Sequence, residues 1–236
     1  MKIKGIILKY LTKHCYIRSL GGDIIIASSA RLRNVKVYVY PGATLTIGND
    51  CILDNVIISV MKGKVVIGNY SQIIGKKYEP TQIIIDNGKF EVADHSKICG
   101  KRVWVRFGGR LSVGKYTNVN DGSEIRCDEG VSIGDYNQIS YNVRIWDTNT
   151  HSILPPNERR RIAEEKFPYF GFEETRPKTA PVTIGNDCWI GENVTILKGS
   201  QVGDGSIIGF GTLISGELIP DNTTAVCHRD LSIIKR

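Results

Sequence analysis

Two side chains that can take part in proton transfer, Asp147 and His151, lie four residues apart in the segment DTNTHS. An imidazole titrates near neutral pH and serves as a general base, and a neighbouring carboxylate can orient it. Two plainer interpretations stay open: His151 is one more polar residue on a solvated loop, and Asp147 caps a local turn. The other histidines, His14, His95 and His228, are read as incidental.

The histidines and cysteines do not form a metal-binding pattern. Zinc needs three protein ligands, usually His, whereas the chain has four histidines in all and no HxxxxH pair. We therefore expect no metal. The cysteines are scattered without a CxxC pair, which favours a reduced compartment over a disulfide framework. They are Cys15, Cys51, Cys99, Cys127, Cys188 and Cys227.

The elements that position these residues follow a six-residue repeat. From Val182 to Ile214 an aliphatic residue recurs at every sixth position, which fits neither a helix nor a lone strand. Such a period indicates a hexapeptide-repeat β-helix, in which three hexads close a triangular coil and the aliphatic side chains stack inside the prism. The recurring aliphatic residues are Ile184, Ile190, Ile196, Val202, Ile208 and Ile214.

A looser form of the repeat occupies the chain before Asp147. A glycine, a short strand and an aliphatic residue recur about every twenty residues, at Ile47, Ile67, Val92, Val113 and Ile133. Each unit is one coil with a slightly swollen corner, so we expect an all-β fold of about seven to eight coils. A small loop is expected to bulge from one corner at Gly75–Gln82.

The repeat fails from Asp147 to Pro181 and resumes at Val182. We expect one long excursion loop over 147–181, with a turn or two of helix at Asn157–Lys166, because insertions in repeat folds become loops on one face. Coil ends need caps. The predicted domains are a capping segment at 1–33, the β-helix at 34–219 and a basic tail at 220–236.

Composition and charge limit the classes of partner. The chain of 236 residues carries a formal charge of +7, which favours anionic partners such as phosphate-bearing cofactors or acidic glycans. It contains no basic helix, aromatic RNA-binding motif or zinc-finger spacing, so nucleic acid is not expected. No apolar run approaches the ~20 residues that span a membrane. We expect a cytoplasmic protein without a transmembrane segment, and peripheral contact with a membrane stays open.

Two stretches carry a resemblance to a known family. They are IGDYNQISYNVRIWDTNTHS and PVTIGNDCWIGENVTILKGSQVGDGSIIGFGTLIS, which contains the IGxxxWIGxxxxIxxG signature. The passage from Val113 to Ile219 resembles the hexapeptide-repeat acetyltransferases, in particular galactoside and maltose acetyltransferases and the O-acetyltransferases of bacterial surface polysaccharides. The resemblance implies a left-handed parallel β-helix that assembles as a homotrimer.

The resemblance also implies roles for particular residues. His151 matches the family's catalytic histidine, the general base on an acceptor hydroxyl, and Asp147 would orient its imidazole. Asn120 matches an asparagine that faces the acceptor hydroxyl, with Asn118 as the alternative if the register of the match is off. Both asparagines also suit β-helix corners for conformational reasons alone.

The family binds acetyl-CoA in the groove between two neighbouring prisms, mostly through backbone groups. The chain departs from the family at Phe210, where a small residue is usual, and in the segment Cys227–Asp230, where a Gly-x-Pro-Ala-like turn is usual. Trp189 matches the tryptophan near the cofactor, although corner packing alone would also explain it. The matching cofactor positions are Trp189, Gly191, Glu192, Gly209, Phe210, Gly211, Ser215 and Lys235.

The resemblance therefore predicts an acetyl-CoA-dependent O-acetyltransferase that acts on a hydroxyl of a sugar or of a surface-polysaccharide precursor. An N-acetyltransferase of a nucleotide-linked amino sugar is the alternative within the same fold. Two more distant alternatives are a zinc enzyme resembling γ-type carbonic anhydrase, which the histidine count disfavours, and a non-catalytic β-helix scaffold.

Overall fold

The computed structural model describes residues 12–168, 173 and 175–227. Its strands are β1 (Thr12–Lys13), β2 (Tyr16–Ser19), β3 (Asp23–Ile26), β4 (Arg31–Val39), β5 (Thr44–Ile47), β6 (Ile52–Val60), β7 (Gly63–Ile67), β8 (Gln72–Ile74), β9 (Thr81–Ile85), β10 (Gly88–Val92), β11 (Lys97–Ile98), β12 (Arg102–Val105), β13 (Gly109–Val113), β14 (Asn118–Val119), β15 (Glu124–Cys127), β16 (Gly130–Ile133), β17 (Gln138–Ile139), β18 (Arg144–Trp146), β19 (Val182–Ile184), β20 (Trp189–Ile190), β21 (Thr195–Leu197), β22 (Gln201–Val202), β23 (Ile207–Ile208), β24 (Leu213–Ser215), β25 (Leu218–Ile219) and β26 (Thr224–Ala225). A helix, α1, spans Pro156–Lys166.

The strands form the three faces of a parallel β-helix. Face 1 is a nine-stranded sheet that runs from β3 to β25. Face 2 contains β1, β8, β11, β14, β17, β20, β23 and β26, and face 3 contains β2, β9, β12, β15, β18, β21 and β24. The nine-residue strands β4 and β6 belong to both faces and turn between them at Asn34 and Asn55, each with a φ of 53°. We call the edges corner 1-2, corner 2-3 and corner 3-1.

The core is the one that the hexad pattern predicts. All six aliphatic residues from Ile184 to Ile214 are buried, and so are the slim residues two positions before each of them. Stacked coils bury a continuous apolar column, and each isoleucine contributes about 1.5–3 kcal/mol by leaving water. The predicted parallel β-helix of hexapeptide repeats is therefore confirmed.

The number of coils was predicted too low. The β-helix has about ten turns, against the seven to eight expected. Strand β3 already pairs with β5, although it lies in the segment assigned to a cap, and β26 pairs with β23 in the segment assigned to the tail. The last turn lacks the repeat pattern because Pro220 and Ala225 stand where the preceding coil has Gly203 and Ile208.

The excursion loop leaves and rejoins the coil where the sequence predicts. Strand β18 ends at Trp146, β19 begins at Val182, and the two ends of the loop are joined by an antiparallel bridge between Thr148 and Thr179. Helix α1 is longer than the predicted turn or two and buries none of its described side chains. No helix among the described residues is long and apolar enough to cross a bilayer.

Candidate active site

The base of the excursion loop is held by the buried carboxylate of Asp147. One carboxylate oxygen accepts the backbone N–H of Asp128 at 2.8 Å, and the other accepts those of Glu129 and Gly130 at 2.8 and 2.7 Å. Burial raises the pKa of Asp147, while the three N–H bonds oppose that rise. The side chain thus caps the corner of the coil below, which is the turn-capping interpretation that the sequence left open.

A buried ion pair lies beside this cap. Arg106 donates to both carboxylate oxygens of Asp128, at 2.9 and 2.7 Å, and the two side chains are almost inaccessible to solvent. Thr148 donates to the same carboxylate at 2.7 Å, and Arg106 also donates to the carbonyl of Thr150 at 3.3 Å. The bidentate pair therefore fixes the backbone immediately before the candidate base, His151.

His151 contacts a carboxylate that the sequence analysis did not identify. Its Nδ1 lies 3.1 Å from Oε1 of Glu173. The same carboxylate accepts the backbone N–H of Ser152 at 3.2 Å and its hydroxyl at 3.0 Å. When Nδ1–H donates to Glu173, Nε2 is left as the proton acceptor. The partner that was expected for this imidazole, Asp147, is occupied by the backbone of residues 128–130.

The imidazole is accessible. About 60% of the His151 side chain is exposed. It opens on a cavity of about 230 Å³ between the loop and α1, whose lining includes Leu154, Arg159 and Ile162. An exposed ring held at one nitrogen has the geometry that a general base requires.

The two predicted asparagines are hydrogen-bonded to each other. Asn118 donates from Nδ2 to Oδ1 of Asn120 at 3.0 Å. Asn118 lies on the outer side of β14 and Asn120 at the corner 2-3 that follows it. His151 follows β18, which stacks above β15, so it lies at corner 3-1. The structure thus places Asn120 and His151 at opposite edges of face 3 within one chain.

Most of the predicted cofactor positions lie together on neighbouring C-terminal coils. Gly191, Glu192, Gly209, Phe210 and Gly211 all sit at corner 2-3, after the paired strands β20 and β23. Trp189 and Ser215 lie on faces 2 and 3, on either side of that corner. Lys235 lies outside the described residues.

Coil geometry already explains the glycines in this group. A Cβ on Gly191 would lie 2.8 Å from the carbonyl oxygen of Ile208, and Gly211 has a φ of 66°. The aromatic side chains are not explained in this way, because 58% of Trp189 and 69% of Phe210 are exposed. They form an outward apolar surface beside the corner, which is where an apolar ligand segment or a second chain would be expected to pack.

The family comparison agrees with this architecture. Residues 181–216 match the family model described as bacterial transferase hexapeptide (six repeats). These are the coils in which the sequence shows the strictest hexads. The predicted resemblance to the hexapeptide-repeat acetyltransferases is therefore confirmed.

Two curated relatives are similar to about half of the chain. Galactoside O-acetyltransferase of Escherichia coli (strain K12) is 30% identical over 132 residues, which cover 53% of this chain and 57% of the relative. "Putative lipopolysaccharide biosynthesis O-acetyl transferase WbbJ" of the same strain is 32% identical over 105 residues, which cover 44% of this chain and 50% of the relative. The chain thus spans about half the length of the curated relatives it matches.

A solved structure extends the likeness of the fold over nearly the whole chain. The crystal structure of the polySia specific acetyltransferase NeuO superposes with a TM-score of 0.52, covering 96% of this chain and 87% of that one. The sequences are 20% identical. At that identity the superposition supports the fold alone.

Proposed function

We propose that this protein is an acetyl-CoA-dependent O-acetyltransferase whose acceptor is a hydroxyl of a sugar or of a surface-polysaccharide precursor. The names of the two curated relatives support sugar O-acetyl transfer. The observation that carries the proposal is the exposed His151 imidazole, held at Nδ1 by Glu173 on a loop with a buried polar base.

The chemistry assigned to His151 is proton transfer. A sugar hydroxyl is a poor nucleophile, so Nε2 of His151 removes its proton as the oxygen attacks the thioester carbonyl. The C–O bond forms, the C–S bond breaks, and the imidazolium returns the proton to the departing sulfur. Glu173 stabilises the charged ring and keeps Nε2 directed outward, in the manner of the carboxylate of a catalytic triad.

A site that uses both His151 and Asn120 requires a second copy of the chain. The two residues flank face 3 at opposite edges, so the edge of one copy that carries His151 must meet the edge of a neighbour that carries Asn120. Three copies that turn face 3 toward a common axis satisfy this condition for every chain, as closed cyclic symmetry requires. This arrangement is the homotrimer that the resemblance implies.

The side chains of face 3 support that orientation. Five of the nine side chains in one outward row of face 3 are large, apolar or aromatic and half-buried, whereas six of the nine in the corresponding row of face 1 are polar. Burial of the larger apolar row would favour association through face 3. The row on face 3 contains Arg18, Tyr38, Ser59, Ile84, Trp104, Arg126, Trp146, Leu197 and Ser215, and the row on face 1 contains Ile25, Thr46, Val66, Glu91, Ser112, Ser132, Thr183, Gln201 and Leu218.

The residues at corner 2-3 fit acetyl-CoA, which supplies an activated acetyl group as its thioester. Trp189 and Phe210 offer exposed apolar surface for an extended ligand arm, and Glu192 borders the same corner. Gly209 and Gly211 are half-buried, and their N–H groups donate to the carbonyls of Ala225 and Glu192 at 2.8 and 2.9 Å. Lys235 is proposed as a partner of the nucleotide phosphates on the basis of the resemblance alone.

The decisive experiment measures thiol release from acetyl-CoA with a panel of glycan acceptors. His151→Asn keeps a group that can donate to Glu173 but removes the base, so acceptor-dependent release should fall about 10²–10⁴-fold. His95→Asn, at another exposed histidine, is the matched control and should retain activity. Alkali-labile product would establish an ester, as O-transfer requires.

Two results would contradict the proposal. Equal activity of His151→Asn and the wild type would remove the base from this position. Failure to bind acetyl-CoA, measured directly by calorimetry, would remove the transferase function altogether.

A further inference from the structure

The loop at Gly75–Gln82 forms one wall of a polar cleft at corner 2-3. In several other coils this corner turns tightly through a residue of positive φ, as at Asn55, Asn142 and Asn193. Here the chain makes a tight turn in which Lys76 and Glu79 exchange backbone hydrogen bonds at 3.1 and 3.2 Å. The insertion therefore adds a wall to a corner that is otherwise open.

The loop is fixed to the coils by specific contacts. Gly75 donates its N–H to the carbonyl of Asp54 at 2.8 Å, and a Cβ at Gly75 would lie 2.2 Å from the carbonyl oxygen of Asn55. The ammonium group of Lys76 lies 3.5 Å from the carboxylate of Asp121, which belongs to the second coil further along. The cleft beneath has a volume of about 500 Å³, within the usual range for small-molecule sites.

The charges of the cleft are balanced. Three cations and three carboxylates line it, whereas the whole chain has 31 Lys and Arg against 24 Asp and Glu. A polyanion would gain no net attraction here, and an apolar ligand would leave these groups desolvated. The charged lining residues are Lys76, Lys101, Arg144, Glu79, Asp121 and Glu192.

The remaining lining suits a polyhydroxylated ring. The amide of Asn142 adds a further donor and acceptor, and Tyr141 exposes about half of its surface. Alternating donors and acceptors match the hydroxyl groups of a pyranose, each of which both donates and accepts. An exposed aromatic ring offers an apolar surface to the C–H face of the same sugar.

The position of the cleft connects it with the proposed chemistry. Midway along the cleft Asp121 follows Asn120, the residue expected to face the acceptor hydroxyl. At one end Glu192 follows Gly191, one of the predicted cofactor positions. A ring seated in the cleft would thus have a hydroxyl near Asn120 and the donor groove beyond it.

We propose that this cleft is the acceptor subsite and that it selects a neutral hexopyranose ring, with the loop residue Glu79 and the corner residue Asp121 among the groups that hold its hydroxyls. The inference rests on the proposed function for its activity test. It adds the substrate class and assigns a role to a loop that the repeat pattern marks only as an insertion.

The test compares two acceptors that differ in one group, methyl β-galactopyranoside and the corresponding uronic acid, which carries a carboxylate at C6. With the wild type, the neutral sugar should have at least tenfold higher kcat/KM. Asp121→Asn and Glu79→Gln should each raise the KM for the neutral sugar about tenfold or more, the loss expected for a charge-assisted hydrogen bond. Acetyl-CoA affinity should not change.

Glu91→Gln, which changes a carboxylate on the outer side of face 1, is the control and should leave KM unchanged. An unchanged KM in both cleft variants would overturn the assignment of the cleft, and a preference for the uronic acid would overturn the class of sugar. Either result would leave the transferase itself intact.

If no acceptor releases thiol, the proposed function fails and the cleft is tested by binding alone. Saturation-transfer NMR with methyl β-galactopyranoside should then show a signal for the wild type that is lost in Asp121→Asn. A signal retained in that variant, or absent from the wild type, would overturn the subsite.

Discussion

The coils and the base of the excursion loop are stabilised in opposite ways. In the coils, equivalent side chains recur in every turn, and each contact resembles the one above and below it. At the base of the loop, the buried Arg106–Asp128 pair and the Asp147 carboxylate that accepts three backbone N–H groups each occur once in the described chain. In the repeated coils, as in other solenoids, many contacts each contribute a small part of the free energy of unfolding. The loop depends instead on a few polar contacts. A single substitution should therefore affect the loop far more than the coils.

The largest effect on stability is expected from Arg106→Met. The substitution removes one partner of a buried ion pair and leaves the carboxylate of Asp128 uncompensated, which costs about 3–5 kcal/mol. Urea denaturation should show this loss in the free energy of unfolding. The double variant Arg106→Met/Asp128→Leu should lose much less, because neither charge then remains buried. Equal losses in the single and double variants would contradict the importance of the pairing.

Asp147→Asn should reduce the free energy of unfolding less than Arg106→Met does, and its effect should be confined to the corner at residues 128–130. The amide presents an NH₂ group where the carboxylate accepts backbone N–H groups, so at least one donor among residues 128–130 loses its partner, at about 1–3 kcal/mol. Amide hydrogen exchange should rise at Asp128, Glu129 and Gly130. Activity should fall with stability, because the same corner supports the segment that carries His151. Unchanged exchange at these amides would contradict the capping role.

The pH dependence gives a second check on Asp147. Burial raises its pKa above that of the unfolded chain, so the folded state binds the proton more tightly. The contribution of this group to the free energy of unfolding therefore falls as pH rises from the ordinary carboxyl pKa to the raised one. Asp147→Asn should lack that slope, which urea titrations at a series of pH values would measure.

The same contrast explains what could be predicted from the sequence. Ile184 and Ile190 predict a coil because their spacing repeats, and the break at Asp147 predicts an excursion because the spacing stops. Glu173 could not be identified, since it lies 22 residues from His151 in a charged segment without a period. Arg106 was equally hidden, because it meets Asp128 only after the coils stack.

At corner 1-2, four coils carry a residue type that is unusual for a backbone position of positive φ. From β5 onward, every coil turns at corner 1-2 through a residue of positive φ, a conformation in which bulky side chains are disfavoured. In four consecutive coils that residue is nevertheless aromatic, and the rings stack with centroids 4.9, 4.9 and 5.1 Å apart. The stacked residues are Tyr70, His95, Tyr116 and Tyr136, and the equivalent residues of other coils are Asp50, Asp187, Gly205 and Asn222.

The smallest effect is therefore expected from Tyr116→Asn. Asparagine tolerates the left-handed conformation and recovers about 1–2 kcal/mol of strain, whereas the two lost ring contacts are worth about 0.5–1.5 kcal/mol each. The two terms nearly cancel, so thermal unfolding should change little. The reverse substitution, Asn222→Tyr, introduces the strain without a stacked neighbour and should destabilise the protein measurably. If both substitutions were neutral, left-handed strain would not limit residue choice at this corner. If Tyr116→Asn were as costly as Arg106→Met, the coils would depend on single contacts as strongly as the loop does.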